Sequence, residues 1–342
     1  NWGGGWMYQI GAWDFAGGIV VHESSGFAAL AGVLFLGSRS HHSHGFHELK
    51  TPHNLPMVVA GTGILWFGWL GFNAGSAMGI GGLASIAFVN TQIAPAIAMM
   101  TWVILDKIVN GKATLIGACS GAISGLVAIT PGAGFMQPDA SFAVGAIGSV
   151  TCFIAVYIAE RLELDDAVDA FTIHGVGGLC GTILLGVFAD PKACADQATA
   201  PEWCANPGTV YRSWHQTLIQ TICGFSSAAY AFLGTYAILK VLNCLGIVPI
   251  LAKPSEQSST DDLHQHGELG YNHPAIQEHY KRMAEEQGNQ FKEQVVDEDL
   301  DDCSVDSDSQ LTTLDDDLDT CSSPLTLSHR EGVTRDLMYS NR

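Results

Sequence analysis

The sequence predicts an all-α polytopic membrane protein, and two observations predict it. Runs of about 20 predominantly apolar residues, the length that crosses a bilayer as a helix, recur seven times. The charges a soluble chain would need are also missing: only 14% of the 342 residues are Asp, Glu, Lys or Arg, against about a quarter in soluble domains. From Thr51 to Leu105 there is none at all across 55 residues, too long a stretch for one buried helix.

The spans fall, in order, at about 15–37, 57–77, 83–105, 113–131, 140–159, 167–189 and 213–243. The first opens on "DFAGGIVVH" and runs through "GVLFL". The second contains "GWLGFNAGSA", and the third completes the charge-free stretch. The fourth contains "GACSGAISG", which sets Gly117, Gly121 and Gly125 on one helix face for close approach of another backbone; Gly71 and Gly75 are expected to do the same in the second span. The fifth ends before Arg161, the sixth carries "DAVDAFTIH", and the seventh follows a long loop. Arg39, Lys50, Lys107, Lys112 and Arg161 lie in the loops after spans one, three and five, whereas the opposite loops carry only Lys192 and Arg212. The positive-inside tendency therefore predicts residues 1–12 outside the cell, a transmembrane domain over 13–251, and a cytoplasmic tail over 252–342.

The net charge of −19 belongs mostly to that tail, which holds 21 acidic and 7 basic residues. An acidic, aromatic-poor tail with runs such as "DEDLDD" predicts disorder beyond about residue 272 and argues against nucleic-acid binding. The nine cysteines form no C-x2-C pair, so no zinc site is expected. Cys194 and Cys204 share the long outer loop, where a disulfide is possible chemistry on an oxidising side.

"DFAGGIVVH" (residues 14–22) and "DAVDAFTIH" (residues 166–174) share an Asp-x7-His frame, and each His is followed four residues later by glycine, Gly26 and Gly178. The topology places the two copies in helices of opposite direction, the mark of an inverted repeat with its working site at the repeat interface. Four spans, two to five, lie between the first copy and the second and none ahead of the first, so the pattern predicts about four further helices upstream. Eight helical residues advance about 12 Å, which sets His22 and His174 near mid-depth, with Asp14, Asp166 and Asp169 toward the helix ends. Ionisable groups inside a span are functional by default, although a single His in a bundle is often a packing residue; the matched pair favours function. A cation site of two His with Asp14 or Asp166 is the rival, weakened by the eight-residue spacing, since ligands on one helix sit three or four apart. No nucleophile elbow accompanies them, so an enzyme is not expected.

"DFAGGIVVH", "PHNLPMV", "GWLGFNAGSA", "IGACSGAISGLVAITPGAG" and "FTIHGVGGLCG", in that order between Asn1 and about Tyr271, together resemble the ammonium transporter (Amt/MEP) family. The related Rhesus branch, whose members conduct ammonia or carbon dioxide, does not usually carry "DFAGG". The resemblance implies an eleven-helix fold of which seven helices are present, and a homotrimer with one pore per subunit. It implies ammonium as the substrate, no cofactor, and cytoplasmic regulators acting through the tail. It assigns His22 and His174 to the twin-His pair of the pore, and Trp2, Ser76 and Asp14 to cation recruitment, with Asp14 shaping the site without touching the ion. Phe72 matches one of two gating phenyl rings and Trp69 a pore-lining tryptophan; by pattern alone both are core aromatics, and Trp2 an interfacial anchor. In "DDLHQHGELGY", Asp262, His266 and Gly267 match a regulatory segment, although the phosphorylated Thr of plant members is replaced by His264. A sensor that signals through the tail is the alternative from another class.

Magnitudes favour ammonia over the ion as the species that crosses. Moving an ammonium-sized charge into a dry pore costs on the order of 20 kcal/mol in the Born limit. Removing its proton at neutral pH, from a pKa of about 9, costs roughly 3 kcal/mol. Potassium has no proton to give up, and the chain holds no TVGYG-like carbonyl filter. Two features depart from the family pattern. Glu23 follows His22 where an apolar residue is usual and, turned about 100° from it, should face a neighbouring helix or subunit. The loop "SRSHHSHGFHELKTPH" holds five histidines and reads as a solvated loop.

Overall fold

The computed structural model describes residues 2–38, 52, 54–193 and 214–246. The chain divides into two units, Asn1–Glu268 and Leu269–Arg342, and all described residues belong to the first. Among them are seven helices long and apolar enough to cross a membrane and no strand: α1 (Gly18–Leu36), α2 (Leu55–Gly75), α3 (Gly82–Val109), α4 (Leu115–Gly132), α5 (Pro138–Arg161), α6 (Phe171–Phe188) and α7 (Trp214–Leu245). A short helix, Trp6–Gln9, precedes them. The chain is a multi-pass membrane protein with the predicted fold class. The disulfide pair Cys194 and Cys204, the tail residues Asp262, His266 and Gly267, and the His-rich loop lie outside the described residues.

Local chemistry sets the helix ends. Asn54 accepts a hydrogen bond from the Met57 amide (2.9 Å) at the start of α2, and Thr114 one from the Gly117 amide (2.9 Å) at the start of α4; both satisfy amides that the first helical turn leaves unpaired. α5 begins with Pro138 at its first turn and ends on Arg161, which suits the helix dipole. The third helix runs four residues past its predicted end at Leu105. Asp106 accepts from the Thr114 hydroxyl (2.7 Å) and the Asn110 amide (3.3 Å), and the Lys107 ammonium donates to the Gly111 carbonyl (2.9 Å). Charge ends an apolar run; it does not end a helix whose charged groups find partners.

α4 is the most buried span and α2 the least. α4 packs on α2, α3, α5 and α6, while α7 closes against α1 and α6. Its glycine face works as expected: a Cβ on Gly121 would come within 2.9 Å of the Ala98 carbonyl of α3, and one on Gly125 within 2.7 Å of the Ala94 carbonyl. Gly71 and Gly75 do otherwise, since a Cβ there would meet nothing within 4 Å. The glycines of α2 share a spacing with those of α4, but the described helices leave them unopposed. α2 also turns Phe67 outward, at 79% exposure.

α1 and α6 start alike. Each opens with six residues of π-helix, Gly18–Glu23 and Phe171–Val176, before regular α-helix. Such wide turns are rare and frequent at functional sites. Each π segment carries one of the two repeat histidines.

Candidate functional site: a histidine pair in an apolar cavity

α1 and α6 meet where the shared frame predicts, and the contact is reciprocal. Gly26, four residues after His22, faces the backbone of His174 and Gly175; Gly178, four after His174, faces the Cβ of His22 and the backbone of Glu23. A Cβ on Gly26 would sit 2.0 Å from the Gly175 nitrogen, so no other residue permits the crossing. This approach brings the Nδ1 atoms of His22 and His174 to 3.2 Å, with ring centroids 5.3 Å apart.

Two nitrogens at that distance share one hydrogen, and for neutral rings that settles the other two. The ring donating from Nδ1 keeps a bare Nε2; the ring accepting at Nδ1 must carry its hydrogen on Nε2. The pair thus offers one acceptor and one donor elsewhere, and the roles can exchange. His22 is buried, and its Nε2 has no hydrogen-bond partner among the described residues.

Trp69 forms the platform for the pair. Its indole lies nearly parallel to His22 (centroids 5.0 Å, 18°) and to His174 (6.4 Å, 14°). Phe72, one turn on, stands 6.2 Å from His22 and 5.9 Å from Trp69. The platform is fixed from behind, because the Trp69 Nε1–H donates to the Thr130 hydroxyl (2.9 Å), which itself donates to the Leu126 carbonyl (2.8 Å). Thr130→Val should leave a buried indole N–H unpaired, costing about 1–3 kcal/mol, measured as a lower melting temperature of the detergent-solubilised protein. His22, His174, Trp69 and Phe72 line one cavity of about 500 Å³, whose remaining walls are Val21, Ser25, Ile64, Leu65 and Gly68.

The other expected residues sit apart from this cluster. Asp14 precedes α1 and is buried; its Oδ1 accepts from the amides of Gly17 (2.9 Å) and Gly18 (2.7 Å), and its Oδ2 from those of Ile19 (2.9 Å) and Val20 (3.2 Å). Burial pushes this carboxyl up to about 6, against the four amides that hold it down. All four bonds go to the chain, so Asp14 shapes the entry to α1. Gly17, at φ 111°, makes the tight turn beneath it. Trp2 donates its Nε1–H to the Asp14 carbonyl (2.9 Å) and leaves its ring 55% exposed. Ser76, just beyond α2, donates to the Phe72 carbonyl (2.9 Å). Asp166 repeats the Asp14 role in reduced form, accepting from the Phe171 amide (2.7 Å). Asp169 lies in a left-handed turn at φ 54°, and its carbonyl accepts from Ile173 (2.9 Å). Thr130 escaped sequence reading because a Thr before a proline in an apolar run has no distinguishing spacing. Among the described residues no group of three or more His, Cys, Asp or Glu could hold a metal ion.

Residues 1–271 match the model of the Ammonium Transporter Family. The chain belongs to that family. It is similar to the ammonium transporter of Bacillus subtilis, with 41% identity over 271 residues, 79% of this chain and 63% of that protein. Ammonium transporter 2 of Schizosaccharomyces pombe is 40% identical over 81% of this chain and 54% of its own length. Among solved structures, Candida albicans Mep2 superposes with a TM-score of 0.66 at 36% identity, covering 78% of this chain and 58% of that one. A structure described as a sensor Amt protein matches with a TM-score of 0.62 at 29% identity, over 74% and 60% of the two chains. The chain thus spans about six-tenths of the length of these family members.

Proposed function

We propose that the protein conducts ammonium nitrogen across a cell membrane, taking up the cation near Trp2 and passing it as neutral ammonia along the His22–His174 pair. The single observation that carries this reading is the 3.2 Å approach of the two Nδ1 atoms inside a largely apolar cavity. Ammonia is both donor and acceptor, and the pair offers one of each. An alkali ion needs several oxygen ligands to replace its water, and two imidazoles over an indole supply none.

Trp2 supports the entry role, since an exposed aromatic face attracts a cation by about 0.5–1 kcal/mol and more once water is excluded. Asp14, ionised at neutral pH, contributes through the turn it builds and through its charge. Phe72 stands beside the pair where a moving ring would control access. Methylammonium uptake into a cell lacking its own ammonium transporters tests the reading: the full-length protein should confer saturable uptake that ammonium competes away and potassium does not. No uptake above the empty-vector level would end it.

A second reading rests on the likeness to the structure described as a sensor Amt protein. In that case ligand binding at the histidine pair would be retained and saturable flux would be absent. Isothermal titration of the purified protein beside the uptake assay separates the two.

A further inference from the structure

Glu23 follows His22 but faces the other way, into the packing of α1 against α6 and α7. It is 0% exposed. Two glycines make its room: a Cβ on Gly178 of α6 would lie 3.2 Å from the Glu23 Cγ, and one on Gly224 of α7 would lie 3.2 and 3.3 Å from its carboxyl oxygens. The carboxyl lies beside Thr182. Among the described residues neither of its oxygens has a hydrogen-bond partner, and neither does the Thr182 hydroxyl. An apolar side chain would fill this space without leaving three polar atoms unpaired, so packing alone does not explain an acid here.

A line of buried polar groups leads toward it. At the start of α7, Gln216 donates to the Gly11 carbonyl (2.9 Å) and to the Gln220 Oε1 (3.3 Å). Gln220 donates to the Trp13 carbonyl (2.7 Å) and, more weakly, to the Thr182 carbonyl (3.5 Å). Gln216 and Gln220 are both buried, and Gly11 is not. The bonded line therefore runs from the Trp214 end of α7 to the Thr182 carbonyl, and the Thr182 hydroxyl and the Glu23 carboxyl lie beyond its last bond.

We infer that Glu23 is a protonatable site beside the pore, held on the α6 and α7 side of α1 next to Thr182, whose charge state adjusts conduction. This rests on the conducting role proposed above. The proton binds to and leaves one carboxyl oxygen, and water is the other partner of the exchange. The titratable groups facing Glu23 are Asp14 from the turn before α1 and Cys223 on α7. His22 adjoins it on α1, His174 lies across on α6, and α4 carries no ionisable residue besides Cys119. No described basic side chain neutralises the carboxylate by an ion pair, so its field reaches His22 little screened.

The test compares the wild-type full chain with Glu23→Gln, which keeps shape and removes titration. The infrared carbonyl stretch of a protonated carboxylic acid is followed from about pH 5 to about pH 9, and methylammonium uptake is measured over the same range. The wild type should show a band that titrates and that Glu23→Gln lacks. Its uptake should change about threefold with the same midpoint, and the variant should lose that step. Uptake profiles that superimpose overturn the inference, as does the absence of any band difference. If neither protein takes up methylammonium, the conducting role fails; the infrared titration then decides separately whether the site binds protons. Should Glu23→Gln fail to reach the membrane, Glu23→Asp keeps the acid, and an unchanged midpoint of its uptake step counts against the site.

Discussion

Replacing both His22 and His174 with alanine is expected to cut methylammonium uptake roughly five- to 150-fold and to let potassium through. In the proposed function each imidazole supplies one polar contact to a neutral amine. A buried hydrogen bond is worth about 0.5–1.5 kcal/mol net, so losing two costs about 1–3 kcal/mol, roughly five- to 150-fold. Selectivity should suffer separately. Truncation removes two rings from a cavity of about 500 Å³ and leaves room for water next to polar backbone and the Ser25 hydroxyl. Water in that space lowers the barrier to any small cation, because it returns the solvation that a dry passage withholds. Uptake and ammonium-evoked current, each measured with and without potassium, read the two effects. Variants that keep full flux and still exclude potassium would remove the pair from the mechanism.

Gly26→Ala is expected to destabilise the protein by about 3–5 kcal/mol, above the usual range for overpacking, and to abolish uptake. The added methyl would sit 2.0 Å from the Gly175 nitrogen, 2.3 Å from its Cα and 2.9 Å from the His174 carbonyl carbon. All three are backbone atoms, so no rotamer change relieves the clash and α1 must move away from α6. That movement opens the 3.2 Å contact between the histidines. Gly71→Ala is the control. Nothing among the described residues lies within 4 Å of its Cβ, and the better helix propensity of alanine is worth about 1 kcal/mol, so its melting temperature should hold or rise. Melting in detergent together with uptake checks both variants. A Gly26→Ala protein as stable as the control would mean that α1 and α6 do not cross this closely.

The repeat was legible before any coordinates because it is written in local chemistry. Asp14 and Asp166 recur at the same offset from a histidine since both start a helix by accepting backbone amides, and Gly26 and Gly178 recur since both helices must pass close. Glu23 could be placed away from the cavity because one residue of helix is a rotation of about 100°. Gly71 and Gly75 looked the same on paper as Gly117 and Gly121. Spacing states which face of a helix is smooth, and says nothing of whether a partner lies against it. Asp14 was placed near a helix end by counting 1.5 Å per residue, yet it lies in the turn ahead of α1, because a carboxylate that binds four amides ends the helix behind it.

Hydropathy by itself determined the seven helices and their order, because burying unpaired backbone in hydrocarbon is so costly that any long uncharged run must be helical. The motifs by themselves determined the family. Only the tertiary structure decided that Trp69 lies under both imidazoles, that Thr130 holds it there, and that Glu23 rests between two glycines beside Thr182. These contacts join residues tens to more than a hundred positions apart, and no local rule of spacing or propensity encodes which surfaces meet. They are set by how seven helices share one packed volume, where each close approach is allowed or forbidden by single atoms such as a Cβ on Gly26.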